Sequence, residues 1–149
     1  MNIISKLFSS KNSSVHKKTQ KRTVGDLGED IACKHLMSLG FDIIARNVQI
    51  SHKEIDIVAE DDEYTLIVEV KSSSKSKADA DAVGMRPSDN VDREKAKNVM
   101  AAARAYSDRN YTGRSVRIDV IEVYLGDTPP TVIHLENAIN ARTLCRKRR

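Results

Sequence analysis

Apolar residues recur along this chain with two different periods, and the change from one to the other marks out the elements. Between Thr23 and Gly40, the residues Leu27, Ile31, Ala32, Leu36 and Leu39 share one half of a helical wheel. Thr23 is placed to cap a first turn and Gly40 to stop the last, so the spacing predicts a helix over 24–39. Gly25 and Gly28 lie on the same half and would let that helix approach its support closely. Glu29 falls at the edge of the apolar arc. "FDIIARNVQI" (41–50) reads as a strand. Residues 53–60 and 64–71 read as two more, joined by the acidic turn "EDDE" into an antiparallel hairpin. Ala96, Val99, Met100 and Ala103 return to helical spacing, and Tyr106 continues the stripe as a core residue, so 91–108 is a second helix. "SVRIDVIEVYL" (115–125) is a strand and "PTVIHLEN" (130–137) a short last one. The order α-β-β-β-α-β-β predicts a mixed α/β fold, with helices packed on a central mixed sheet.

Between the hairpin and the second helix lie nineteen small and polar residues, 72–90. Connections this long are mobile or functional in compact domains, and this one is expected to be a flexible loop beside whatever the hairpin builds. The chain of 149 residues suits one domain, 23–140, between a disordered basic arm (1–22) and a basic tail (141–149). With no Trp and only two Phe, the core is aliphatic. The net charge of +4 is concentrated at the ends, where "KKTQKR" and "RKRR" carry eight cations. Such runs are solvated tails or a loose, salt-sensitive grip on phosphates. Cys33 and Cys145 form neither a disulfide framework nor a metal-ligand spacing, which fits a reducing cytoplasm. No stretch has the ~20 apolar residues that span a bilayer, and "MNIISKLFSS" is too short and too polar for an export signal. The expected setting is cytoplasmic, without a membrane partner.

The hairpin carries the chemistry. A turn centred between Asp61 and Asp62 would set Glu54 opposite Glu69 and Asp56 opposite Ile67. Glu54, Asp56, Glu69 and Lys71 then project to one face, while Ile55, Ile57, Leu66, Val68 and Val70 pack on the other. A one-residue slip would scatter the charged set. Asp56 and Glu69 are diagonal neighbours, close enough to reach one ion. Two like charges ~4 Å apart repel by roughly 4 kcal/mol at an effective dielectric of 20. A bound divalent cation removes that cost, and sparse all-oxygen ligation suits Mg²⁺ or Mn²⁺. Lys71 reaches the same space and could orient an attacking water or stabilise charge on a phosphate.

Asp56, Glu69 and Lys71 form D-x(12)-E-x-K on a hairpin, which resembles the PD-(D/E)XK nuclease superfamily. "GDLGEDIACKHLMSLGFDIIARN", "EIDIVAEDD", "IVEVK", "KAKNVMAAARAY" and "VRIDVIEV" follow in the order and spacing of the bacterial YraN family, a family of uncharacterised, endonuclease-like proteins. The resemblance covers roughly residues 23–140. It extends more distantly to archaeal Holliday junction resolvases, which place a Glu on the first helix before an Asp and E-V-K. It implies a restriction-endonuclease-like fold. It also implies that Glu29 completes the acidic cluster, that Asp56 and Glu69 bind metal, and that Lys71 is the catalytic lysine. Glu54 matches the E-I-D glutamate, as a ligand or a group behind the ligands. Lys53, Lys75 and Lys95 are the expected contacts to a nucleic-acid backbone. Two positions depart from the family pattern. Lys53 stands where a Gly usually precedes E-I-D, and Ser72 and Ser73 stand where Thr-Arg is common.

Blander readings compete. Asp56, Glu69 and Lys71 could form a surface salt bridge, and Glu29 or Lys95 could be ordinary helix-surface charges. Asp119 matches a family aspartate, but structural hydrogen bonding is the simpler role for it. His52 sits just before the hairpin, within reach of a phosphate. His16, His35 and His134 show no ligand spacing. The leading expectation is a Mg²⁺- or Mn²⁺-dependent nuclease on structured or branched DNA. The resemblance to junction resolvases adds an expected homodimer. A nucleic-acid-binding module that does not cut is the second reading. A protein-interaction domain docking through 72–90 is the third.

Overall fold

The computed structural model describes residues 15–142, with side chains from Thr23 onward except that of Asn90. In chain order the elements are α1 (Val15–Ser38), β1 (Asp42–Ile50), β2 (Lys53–Glu60), β3 (Tyr64–Ser73), α2 (Lys77–Ala82), a 3₁₀ turn (Pro87–Asn90), α3 (Arg93–Arg109), β4 (Ser115–Tyr124) and β5 (Thr131–Leu135). The strands form one sheet in the order β1-β2-β3-β4-β5. Only β3 and β4 run parallel; the other neighbours are antiparallel. The sheet is mixed and helix-covered, with the expected succession of elements. No helix among the described residues is long and apolar enough to cross a membrane.

Two apolar clusters sandwich the sheet. One lies under α1 and gathers Ala32, Leu36, Ile57, Leu66, Val68, Ile121 and Val123. The other lies under α3 and gathers Ile55, Val58, Ile67, Ala96, Val99, Ala103, Tyr106 and Val120. Each such Val, Leu or Ile side chain contributes about 1.5–3 kcal/mol when fully buried. Ile55 was expected beside Ile57 but joins the opposite cluster. On the neighbouring β1, Asn47, whose φ is 51°, lies between Arg46, which pairs with Ile57, and Val48, which pairs with Ile55.

Helix α1 spans Val15–Ser38, so Thr23 lies inside it and not at its N-terminus. Residues 1–14 of the expected arm and 143–149 of the basic tail lie outside the described residues. The C-terminal end is as expected: Gly40, at φ 92°, ends the helix, and Phe41 N donates to the Leu36 carbonyl at 3.1 Å. The buried face is rotated from the expected one. Leu27 and Leu39 are 48% and 53% exposed, and Gly28, Ala32, Cys33 and Leu36 form the contact line. Gly28 sets the rotation, because a Cβ there would lie 1.7 Å from Ser72 Oγ, whereas one at Gly25 would meet nothing within 4 Å. Of these two, Gly28 alone is a close-approach glycine.

Apart from Ile55, the β2–β3 hairpin keeps its predicted faces but pairs two residues away from the predicted register. Ile57 lies opposite Val68 and Glu60 opposite Thr65. The Asp61 carboxylate moves the turn: its Oδ1 accepts from the backbone N–H groups of Glu63 (2.8 Å) and Tyr64 (2.7 Å). A shift by two leaves every side chain on its own face.

Segment 72–90 is structured. Strand β3 runs on to Ser73, and Ser76 caps α2 by accepting from Asp79 N at 3.1 Å. The sequence "SKAD" holds that capping pattern, which the surrounding small residues obscured. The segment is also pinned to the β4–β5 turn. Leu125 N donates to the Ser73 carbonyl (2.8 Å), Gly126 N to the Lys75 carbonyl (3.2 Å) and Lys77 N to Asp127 Oδ2 (3.0 Å).

Candidate active site

The site begins where the hairpin stops being a sheet. Strands β3 and β4 stay paired from Tyr64↔Ser115 to Ser73↔Tyr124. Strand β2 pairs with β3 only from Glu60↔Thr65 to Ile57↔Val68 and then parts from it. In the resulting fork the Asp56 carboxylate takes over the ladder's role: its Oδ2 accepts the Val70 backbone N–H at 2.7 Å. This satisfies an amide that the departing strand leaves without a carbonyl.

Glu69 sits in the same fork on β3 and is only 3% exposed. Burying a carboxylate so deeply requires opposite charge close by. Two lysines supply it on a single oxygen: Lys71 Nζ is 2.9 Å and Lys95 Nζ 3.1 Å from Glu69 Oε1. Lys71 follows on the same strand face. Lys95 comes from the first turn of α3, where the Asp92 cap accepts Lys95 N at 2.8 Å and fixes the helix start. Asp56 has less compensation. Burial, then the Glu69 charge and more weakly that of Glu29, push its carboxyl up to about 7, against the opposing pull of the Val70 N–H and Lys95.

Glu29 projects from α1 toward this cleft, its side chain 15% exposed. Its Oε2 accepts from Arg46 Nη2 (3.2 Å) and Asn47 Nδ2 (3.1 Å), and Arg46 also bonds Asp30 Oδ1 at 2.7 Å. The cleft has a volume of about 590 Å³, bounded by Glu29, Asp56, Glu69 and Lys71 and by a wall of three serines, Ser72–Ser74, ending in Lys75.

The structure therefore gathers Asp56, Glu69, Lys71 and Lys95, with Glu29 and Lys75 at the rim. It does not gather Glu54, which is exposed on β2 outside the cleft lining, or Lys53, half-buried at the foot of β2. His52 is exposed in the tight β1–β2 turn at φ 65°. Among the described residues, no group of three or more His, Cys, Asp or Glu is arranged to hold a metal ion. Two carboxylates remain, Asp56 and Glu69, and Asp56, raised first by burial and then by the Glu69 charge, lies where a positive charge is favoured. That donor set fits an ion of the Mg²⁺ type, which takes one or two protein carboxylates and fills its shell with water and phosphate oxygens.

Four features escaped the sequence reading: the Val70 amide, the serine wall, the Arg46–Asn47 clamp on Glu29, and Glu122. Buried on β4 level with Lys71, Glu122 accepts from Ser88 N (3.1 Å) and Tyr124 Oη (3.0 Å) and so ties the 3₁₀ turn to the sheet. A fully apolar strand would show no acid there, and the "IEV" of β4 was the available signal.

Asp119, by contrast, is structural. It is fully buried, with both oxygens bonded by Arg117, one by His134 Nε2 (2.8 Å) and the other by Asn137 N (2.8 Å). Burial raises its pKa, but these hydrogen bonds outweigh burial and hold the carboxyl below its usual range. His35 Nε2 lies 3.2 Å from His134 Nδ1, extending the network to α1.

Residues 28–123 match the uncharacterised protein family UPF0102. The chain belongs to UPF0102. The matched stretch runs from Gly28 to Val123 and contains every residue of the fork together with Glu29 and Lys95. A UPF0102 protein of Caldanaerobacter subterraneus is 32% identical over 126 residues, covering 84% of this chain and 98% of its own. One of Thermotoga maritima is 36% identical over 108 residues, covering 72% and 89%. One of Clostridioides difficile is 35% identical over 115 residues, covering 76% and 94%. These UPF0102 relatives are similar to this chain over nearly their whole length and are named by family alone.

Proposed function

We propose that this UPF0102 protein is a metal-dependent nuclease that hydrolyses phosphodiester bonds, with structured or branched DNA as its substrate. One observation carries the reading. The fork holds two carboxylates and a lysine in one cleft, and the Asp56 carboxyl is raised first by its burial there and then by the charge of Glu69.

Asp56 and Glu69 are the residues that would hold a divalent cation. Bound there, such an ion supplies a water of lowered pKa and a positive charge for the phosphate. The chain's own groups account for the rest. The Val70 N–H fixes the orientation of Asp56. Lys71 stands beside Glu69, where it can orient the attacking water or donate to a non-bridging phosphate oxygen. Lys95 neutralises Glu69 from the α3 side. The serine wall and Lys75 offer donors to the flanking backbone, which positions a strand without reading its sequence. No base-reading element lines the cleft, so selection by the structure of the DNA follows. The setting we infer is cytoplasmic, and a homodimer would place two such clefts on a two-fold symmetric substrate.

A second reading has one observation in its favour. Glu69 is already bridged by two lysines and Glu29 by Arg46, a balance that would also suit a module binding nucleic acid without cutting it. The test uses wild type and Glu69→Ala/Lys71→Ala on labelled single strands, duplexes, flaps, four-way junctions and structured RNA, with Mg²⁺, Mn²⁺ or EDTA. Metal-dependent cutting by wild type alone is the expected result. Equal, metal-indifferent binding without cutting by either protein would transfer the case to the binding module.

A further inference from the structure

A second, smaller pocket opens off the cleft. It shares Ser72, Ser73 and Lys75 with the cleft and is completed by Ala80, Met85, Arg86 and Pro87. Its volume is about 150 Å³. At ~30 Å³ per water this is the space of about five waters, too small for a drug-sized ligand but enough for one flat ring system.

The pocket is preformed. Its near wall is held by the hydrogen bonds from Leu125 and Gly126 to Ser73 and Lys75. Gly126 makes that contact possible, since a Cβ there would lie 2.3 Å from Ser76 N. Its far wall is held by Glu122 through Ser88 N. Chemically it is mixed. Lys75 and Arg86 give it two cations, while Pro87 and Met85 give it an apolar side. Met85 is 62% exposed, so the core is not what keeps its thioether there.

We propose that this pocket receives one unpaired base of the nucleic acid, adjacent to the phosphate lying in the cleft; the inference rests on the nuclease reading of that cleft. Met85 and the Arg86 guanidinium offer soft, flat contacts to a base face, which any base can use. Lys75 stands between pocket and cleft, where the connecting phosphate would run. A base inside a duplex reaches such a pocket only by being unstacked and unpaired, which is least costly where it is already unpaired. The favoured substrate therefore has an unpaired nucleotide next to the bond that is cut, as at a flap or a branch.

The test compares a blunt duplex with a matched flap carrying 2-aminopurine at the first unpaired position. Binding is followed by anisotropy and 2-aminopurine fluorescence in EDTA, and cutting in Mg²⁺. The proteins are wild type, Arg86→Ala, Met85→Ala/Arg86→Ala and Glu69→Ala/Lys71→Ala. Wild type should favour the flap by roughly tenfold, the size of one base–side-chain stack. In the Met85 and Arg86 variants the ratio of flap to duplex affinity should fall to about one. The Glu69/Lys71 variant should keep the preference and not cut. Equal binding of flap and duplex by wild type, or a preference that survives Met85→Ala/Arg86→Ala, overturns the base pocket and leaves the nuclease reading standing. A preference that depends on Met85 and Arg86 in a wild type that cuts nothing does the reverse.

Discussion

Replacing Asp56 by Asn should change how stability depends on pH, and the structure sets the size of the change. In the folded chain the Asp56 carboxyl is raised from 3.8 to about 7, first by burial and then by Glu69. An acid raised on folding contributes full stability below its unfolded pKa and loses it as pH climbs through the folded value. The window here runs from about pH 4 to about pH 7, at ~1.4 kcal/mol per unit. Between pH 5 and pH 8, metal-free wild type should lose about 3 kcal/mol that Asp56→Asn retains. The amide oxygen of Asn can still accept the Val70 N–H, so the comparison isolates the charge. The assay is urea unfolding of both proteins in EDTA at half-unit steps of pH. Adding Mg²⁺ at pH 8 should then stabilise wild type and leave the variant unchanged. Curves for the two proteins that stay parallel from pH 5 to pH 8 would refute the account of a charge-starved fork.

Three further outcomes follow from the packing. Gly126→Ala should lower stability by about 1–3 kcal/mol in a thermal or urea melt, because its Cβ meets the backbone of Lys75 and Ser76 rather than a side chain that can move; an unchanged midpoint would mean the clamp on that segment is loose. Gly28→Ala should cost about as much by pushing α1 off Ser72, and adding Ser72→Gly to it should recover most of the loss in a double-mutant cycle. Asp119→Asn should cost about 1–3 kcal/mol at pH 7, because Arg117 loses its buried partner and keeps only Glu136, and the residual protein should keep its Mg²⁺-dependent stabilisation, since this network lies apart from the cleft.

What the sequence disclosed, and what it withheld, divides along the range of the forces involved. Ile55 and Ile57 alternate with Glu54 and Asp56, and Val68 and Val70 with Glu69 and Lys71, and period alone placed their strands. Ala96, Val99 and Tyr106 did the same for α3. The faces of Asp56, Glu69 and Lys71 could be read for the same reason, because parity in a strand survives an error of two in register. The register itself could not be read, since it depends on whether one carboxylate, Asp61, caps two amides in the turn. The contact line of α1 was misjudged because hydrophobicity favoured Leu27 and Leu39, while the deciding residue, Gly28, has no side chain to count. The order within 72–90 was hidden because three hydrogen bonds to the β4–β5 turn and one to Glu122 create it, all to partners distant in sequence. The Arg46 hold on Glu29 was hidden on the same ground.

The fork also changes what the interval between Asp56 and Glu69 means. The two acids lie at the open end of a hairpin whose turn, Asp61–Glu63, is at the other end, so the residues between them run out along one strand and back along the next. That interval measures the length of the hairpin and says nothing about the distance between the carboxylates. Adding two residues to each strand would carry the turn outward and leave both acids where they stand, whereas adding one residue to β2 alone would turn Asp56 away from its partner. In comparing distant chains, the quantity to hold fixed is therefore the parity of each acid on its strand. The number of residues between them is free to drift.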